Sequence, residues 1–283
     1  MKIGLIDVGG GSRDIYGAGV LDYCMDNGIT FDYCIGISAG SANLASFLAG
    51  QRGRNYVFYT EYFFRKEYAS LHNMIMKRNY VDLDYVYDTL SNSEGENPLD
   101  FQAMYENPTR FIIEACDAQT GEPVYFDKQN LRLGQTDIFK ASSCLPLVCT
   151  PCLVEGRYCF DGGLADPIPL KRAFEDGCDR VVLILTRPKD YRRRPERDRR
   201  CAMLIQRQYP AIAQALQTRA ARYNEQLRIA KEYEAAGKVL ILAPDDIMGM
   251  KTLTKDKEKL ERLYQKGMAD ARKLPDFCRW IDR

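Results

Sequence analysis

A serine hydroxyl attacks an ester carbonyl only when a base can take its proton and fixed donors can receive the charge that develops on the carbonyl oxygen. Gly36-Ile37-Ser38-Ala39-Gly40 is a G-x-S-x-G sequence between an apolar run, FDYCIGI (31–37), and an apolar helical stretch, 41–48. This is the setting of a nucleophile elbow: the serine sits on a tight strand-to-helix turn, Gly36 and Gly40 relieve the crowding, and Oγ projects above the sheet. The helix N-terminus beneath it favours negative charge. Read blandly, the same five residues are a tight turn with an unreactive serine. Gly9-Gly10-Gly11-Ser12-Arg13 follows another apolar run directly. Three glycines let backbone N–H groups approach a ligand, which serves an oxyanion hole or a phosphate cradle equally well. A dinucleotide fingerprint would need G-x-G-x-x-G, and Asp14 stands where the third glycine belongs. An acidic side chain there repels pyrophosphate, which disfavours a nucleotide-binding oxidoreductase.

The base must be found without histidine chemistry. The chain's only histidine, His72, lies early, within YASLHNMIMK, and reads as an ordinary helix residue. A Ser-His-Asp hydrolase of the G-x-S-x-G type would carry its histidine late, after the acid. Asp161 in Phe160-Asp161-Gly162-Gly163 is the alternative: RYCF before it reads as a strand, and two glycines permit a positive φ that would turn the carboxylate into a cleft. Taken alone, D-G-G is equally a plain turn. An aspartate with an ordinary pKa of about 3.9 is a weak base unless burial raises it, so a partly dry site is expected.

The elements that would position these residues are short apolar runs with helical stretches between them: 2–8, 31–37, 110–118, 180–186 and 238–243. Runs apolar on every side, with connections long enough for crossover helices, predict an α/β sandwich around a mostly parallel sheet. Helices are expected over 15–26, with Asp14 as N-cap and Gly28 beyond the end, over 41–48, over 211–236 with Gly237 as stop, and from about 255 to 273. A catalytic α/β unit, 1–186, is expected to carry a mostly helical region, 187–283, that returns one strand and packs on it. The aromatic stretch 55–68 reads as a core helix or a mobile cap offered to a lipid. The stretch 187–200 holds eight basic and three acidic residues, and reads as a solvated loop or as a patch for anionic headgroups.

Forty Lys and Arg against thirty-nine Asp and Glu leave a formal charge of +1, so no global field recruits nucleic acid. MKIGLIDVGGG is too short for a signal-peptide core, and no segment reaches the roughly 18 to 20 unbroken apolar residues of a membrane span. A soluble cytoplasmic protein is therefore expected, with its ten cysteines as reduced thiols. Cys144, Cys149, Cys152 and Cys159 include one C-x-x-C, but their spacing does not form paired zinc knuckles, so neither metal nor cofactor is expected. Nothing in the sequence sets an oligomeric state.

The blocks GGGSRD-IYGAGVLD (9–22), GISAGS (36–41), ASSCLPLVCTPCLVEGRYCFDGG (141–163) and Ala165-Asp166-Pro167-Ile168-Pro169-Leu170, in that order, resemble the patatin-like phospholipases over about residues 2 to 186. The resemblance implies a three-layer α/β/α sandwich and a Ser38–Asp161 dyad. It places oxyanion donors among the backbone amides of Gly10, Gly11 and Ser12, with Gly9, Arg13, Gly36, Gly40, Gly162 and Gly163 supporting the motifs. The implied chemistry is metal-free lipid acyl ester hydrolysis through an acyl-serine, on phospholipid, lysophospholipid or a smaller acyl ester. Peripheral contact with an anionic membrane surface goes with it. The C-terminal region resembles, less specifically, the extension of a bacterial branch. One departure is Asp14, where the family usually shows glycine. An anion beside the oxyanion loop would suit a rival, catalytically silent lipid-binding or regulatory protein.

Overall fold

The computed structural model describes residues 1–131 and 134–278, so the last five residues of the expected C-terminal region lie outside the described residues. Eight strands form one sheet: β1 Ile3–Asp7, β2 Tyr33–Ile37, β3 Arg110–Asp117, β4 Pro123–Asp127, β5 Cys152–Val154, β6 Arg157–Asp161, β7 Arg180–Ile184 and β8 Val239–Leu242. The five apolar runs read from the sequence are its parallel part, paired β3-β2-β1-β7-β8. β4, β5 and β6 add an antiparallel portion beyond.

Side chains alternate across the sheet, so Leu5 and Cys34 join an apolar core on one face while Ile6 and Ile35 join another on the opposite face. The first core takes residues from α1 (Ile15–Asp26), α2 (Ala39–Leu48), α3 (Arg54–Thr60), α5 (Phe101–Glu106) and α6 (Asp137–Ser143), with α4 (Leu71–Lys77) on an excursion outside it. The second takes residues from α7 (Leu170–Glu175) and the long α9 (Pro210–Ala235), and α8 (Glu196–Ile205) and α10 (Lys257–Asp270) complete the helical layers. The result is a three-layer sandwich with a mixed central sheet.

Two expectations about helix starts need correction. The second helix begins at Ala39 rather than Ser41, because the turn at Ser38 is a single residue long. Asp14 precedes α1, but its side chain accepts no capping bond.

The register of β3 places the chemistry. Its residues 112–114 pair with both β2 and β4, and Ala115 and Cys116 pair with both β4 and β6. A strand has only two edges, so β2 and β6 share one of them and run toward each other along it. The last residue of β2, Ile37, lies opposite Glu114, and the last residue of β6, Asp161, lies opposite Ala115. Ser38 and Asp161 are therefore brought together by consecutive positions on one strand.

Candidate active site

Ser38 adopts φ 54° and ψ −130°. A non-glycine residue in such a region costs on the order of 1–3 kcal/mol and persists only where its surroundings over-determine it. Those surroundings are explicit. A Cβ on Gly36 would lie 2.5 Å from Ser41 Cα, and one on Gly40 would lie 2.4 Å from the Asp7 carbonyl oxygen, so both flanking positions must be glycine. The Ser38 N–H donates to Ser142 Oγ at 2.9 Å, and the Ser38 carbonyl accepts from the Ser41 hydroxyl at 2.6 Å. Ser142, on α6, thus fixes the elbow from a segment a hundred residues away; its only trace in the sequence is the Ala-Ser block that carried the family resemblance.

Asp161 is 3% exposed. Its own N–H donates to the Cys144 carbonyl at 2.8 Å, and its carboxylate accepts the Gly163 N–H at 2.9 Å. Burial pushes its pKa above the ordinary carboxylate value, opposed by the Arg219 charge and by hydrogen bonds from the Ser38 hydroxyl and the Gly163 N–H. The Asp161 carboxylate is thus buried beside Ser38, and both line one cavity. The two glycines serve differently from expectation: neither Gly162 nor Gly163 has a positive φ. What they supply is room, since a Cβ on Gly162 would lie 2.6 Å from the Glu114 carbonyl oxygen and one on Gly163 would press on the Asp161 carboxylate and Arg219.

The glycine loop does require glycine conformations, with φ 67°, 144° and 60° at Gly9, Gly10 and Gly11. Thr186 Oγ1 ties the Gly9 carbonyl at 2.6 Å. The Ser12 N–H donates to the Thr252 carbonyl at 2.8 Å and the Ser12 hydroxyl to the Lys251 carbonyl at 3.0 Å. That bond removes the Ser12 amide from the expected oxyanion donors. The Gly10 and Gly11 amides have no acceptor among the described residues. Asp14, rather than capping a helix, is fully buried against the equally buried Asp7, and a Cβ on Gly17 would lie 2.6 Å from Asp14 Oδ1 and 2.7 Å from Asp7 Oδ2. Burial pushes Asp7 up to about 6, and burial together with the Asp7 charge pushes Asp14 well above the carboxylate range. Burial and the neighbouring Asp7 thus favour the protonated form of Asp14, while the Asp7 carboxylate accepts the Gly9 N–H at 3.1 Å.

Ser38 lines two cavities at once. One is walled by apolar side chains, among them Phe58, Tyr59, Phe63 and Tyr68 from the aromatic stretch, which is thus both core and cavity wall. The other, of about 380 Å³, also holds Asp161 and is lined by Arg13 and by Arg187, Arg193, Arg194 and Arg197 from the basic stretch. Arg219 on α9 completes that wall, and sequence reasoning missed it because nothing local marks one arginine in a long polar helix. His72 is exposed on α4 and lines neither cavity. Cys144 neighbours Cys149 and Cys152 behind the β6 end, with burial pushing the Cys144 thiol up, and all ten cysteines are unpaired.

A family model described as patatin-like phospholipase matches residues 8–174, and a second, described as a domain of unknown function, matches 209–281. The chain is 32% identical over 192 residues to an uncharacterized protein, YjjU, of Escherichia coli strain K12, covering 66% of this chain and 52% of that protein. The chain thus spans about half the length of the curated relative it matches. Among solved structures it is similar to VipD from Legionella pneumophila, with a TM-score of 0.50 at 13% identity over 97% of this chain and 66% of that one, a likeness of fold. With more than half of its length matching the family model, the chain belongs to the patatin-like phospholipase family.

Proposed function

We propose that the protein is a serine acyl hydrolase acting on lipid acyl esters, with Ser38 as nucleophile and Asp161 as general base. The observation that carries this reading is the position of Ser38: on a strained elbow, against a buried carboxylate of raised pKa, where an apolar cavity meets a polar one. Ser38 Oγ attacks the ester carbonyl while its proton passes to Asp161. The oxyanion is received by the Gly10 and Gly11 N–H groups. Collapse expels the alcohol, which takes the proton back from Asp161, and leaves an acyl-Ser38. Asp161 then deprotonates a water that attacks the acyl carbonyl, and the proton returns to Ser38 as the fatty acid leaves. The rival, a silent lipid-binding protein, drew its support from an anionic Asp14, and burial disfavours that ionised form.

Residues 1–186 would form the catalytic unit, and 187–283 the region that closes it. No described helix is long and apolar enough to cross a membrane. Contact with a lipid surface would instead use α4, where Leu71, Ile75 and Met76 are 74%, 78% and 68% exposed. The Ala69–Val81 bridge pins the base of this excursion, and Val81 and the neighbouring Tyr68 line the apolar cavity.

Turnover of p-nitrophenyl butyrate by three variants tests the reading. Ser38→Ala should abolish it, and Asp161→Asn should lower kcat by about 10²-fold or more with little change in KM. His72→Ala should keep full activity. An inactive but folded His72→Ala, or a fully active Asp161→Asn, would overturn the dyad.

A further inference from the structure

The cavity of about 380 Å³ beside Ser38 is lined by six arginines, Arg13, Arg187, Arg193, Arg194, Arg197 and Arg219, against two aspartates, Asp161 and Asp198, an excess of four positive charges. Five of those arginines lie beyond residue 174, where the patatin match ends. The excess is held in place. Arg193 forms a bidentate pair with Asp198 at 2.7 and 2.8 Å, and the Arg193 backbone exchanges hydrogen bonds with the Asn224 side chain of α9. Arg187 lies over the Tyr191 ring at 4.2 Å. Two of the guanidiniums are also unsatisfied. Arg13 is 6% exposed and its Nε and Nη1 have no hydrogen-bond partner among the described residues, and Arg219 Nε is likewise buried without one. Their buried charge adds to the positive field in the cavity, which an anion there would offset. Burial and the neighbouring Arg187 already push the Arg13 pKa down to about 10, the response of a cation crowded by like charge.

Resting on the hydrolase reading for the placement of the ester, we infer that this cavity is a headgroup subsite for a phosphomonoester dianion, making the enzyme selective for acyl esters that carry a terminal phosphate. The acyl chain enters the aromatic-walled cavity, the ester carbonyl meets Ser38, and the phosphate lies among the arginines. A phosphomonoester brings about two negative charges near neutral pH, whereas a phosphodiester brings one. A zwitterionic headgroup would also place its ammonium among guanidiniums, so like-charge repulsion excludes it as actively as attraction selects the dianion.

Two short-chain phospholipids used below their aggregation concentrations test the assignment: dihexanoyl phosphatidic acid and dihexanoyl phosphatidylcholine. The native enzyme should show kcat/KM about tenfold or more higher for the phosphatidic acid, a difference of about 1.4 kcal/mol. Arg194 and Arg197 are exposed, so Arg194→Gln with Arg197→Gln should leave the fold intact and bring the ratio toward one, chiefly through KM. Binding of the same lipids to Ser38→Ala by calorimetry separates the subsite from catalysis. Phosphatidic acid should bind, the two arginine substitutions should weaken it about tenfold, and phosphatidylcholine should bind the unsubstituted cavity about tenfold more weakly than phosphatidic acid does. Inorganic phosphate in the same titration distinguishes the sources: equal affinity makes the phosphoryl group alone the ligand, and weaker affinity makes it the acylated headgroup. Equal kcat/KM and equal binding for the two lipids, or phosphatidic acid binding untouched by the arginine substitutions, overturns the inference. Failure of the native enzyme to turn over any ester, with charge-dependent binding intact, counts against the hydrolase reading and leaves the subsite standing.

Discussion

Three carboxyl groups beside Ser38 and the glycine loop, Asp7, Asp14 and Asp161, have their pKa values raised chiefly by burial. With Asp161 as the proposed base, its raised pKa means that kcat/KM should rise with pH through a point above the ordinary aspartate value, and that acid limb should be absent from the residual rate of Asp161→Asn. Asp7 and Asp14 have raised native pKa values from the same cause. A carboxyl whose native pKa exceeds its unfolded value binds more protons when folded. The stability it confers is therefore present at low pH and falls as pH rises from about 4 through the native pKa. Asparagine reproduces the neutral form of Asp14, so Asp14→Asn should melt several degrees above the native protein at pH 8, with the difference closing by about pH 4. Scanning calorimetry across that range checks it, and a difference independent of pH would mean that Asp14 is not the titrating group. Ser38 and Asp161 were legible in the sequence because each is announced by adjacent glycines. The raised pKa of Asp14 and the occupied Ser12 amide were not, because both depend on what packs against the loop from elsewhere: burial beside Asp7 in one case, Thr252 in the other.

Among the elements, β3 brings Ser38 and Asp161 together by register, and the pairing of α1 with α10 holds the C-terminal region onto the glycine loop. These two helices touch backbone to backbone. A Cβ on Gly19 would lie 2.2 Å from the Tyr264 carbonyl oxygen, and one on Gly267 would lie 2.1 Å from the Tyr16 carbonyl oxygen. Tyr16 Oη donates to Asp270 at 2.9 Å and Tyr264 Oη to Asp22 at 2.8 Å across the same contact. Gly267→Val should therefore force the helices apart and cost on the order of 3 kcal/mol, read as a lowered urea midpoint. It should also loosen the 251–252 segment that holds Ser12, so ester turnover should fall further than the folded fraction does. Unchanged stability would show that α10 is not seated through this contact. The parallel strands were legible because a strand buried on both faces is apolar throughout. β4 and β5 were not, since PVYFD and CLV lie in the partly exposed antiparallel portion and carry too few apolar residues to stand out.

On the scale of the whole molecule, a net charge of +1 conceals a strong local separation. Arginines from the 187–197 stretch and from α9 converge on one side of Ser38, aromatic residues from 58–68 on the other, and an apolar helix stands exposed beside the latter. The basic stretch could be seen in the sequence but not where it pointed, because Arg13 and Arg219 join it only in the folded chain. If α4 seats the protein on lipid, Ile75→Asp should lower hydrolysis of vesicle-borne phospholipid about tenfold while leaving p-nitrophenyl butyrate turnover unchanged. Equal loss on both substrates would place Ile75 in the fold rather than at an interface. Beneath all of this lies the claim that Ser38 is an activated nucleophile. Reaction of the intact protein with a fluorophosphonate, followed by peptide mass mapping, asks that directly. A single phosphonyl adduct on Ser38, formed with loss of fluoride, slowed in Asp161→Asn and absent in Ser38→Ala, is the predicted result. An adduct on another serine, or none on a folded protein that still cleaves esters, would contradict it.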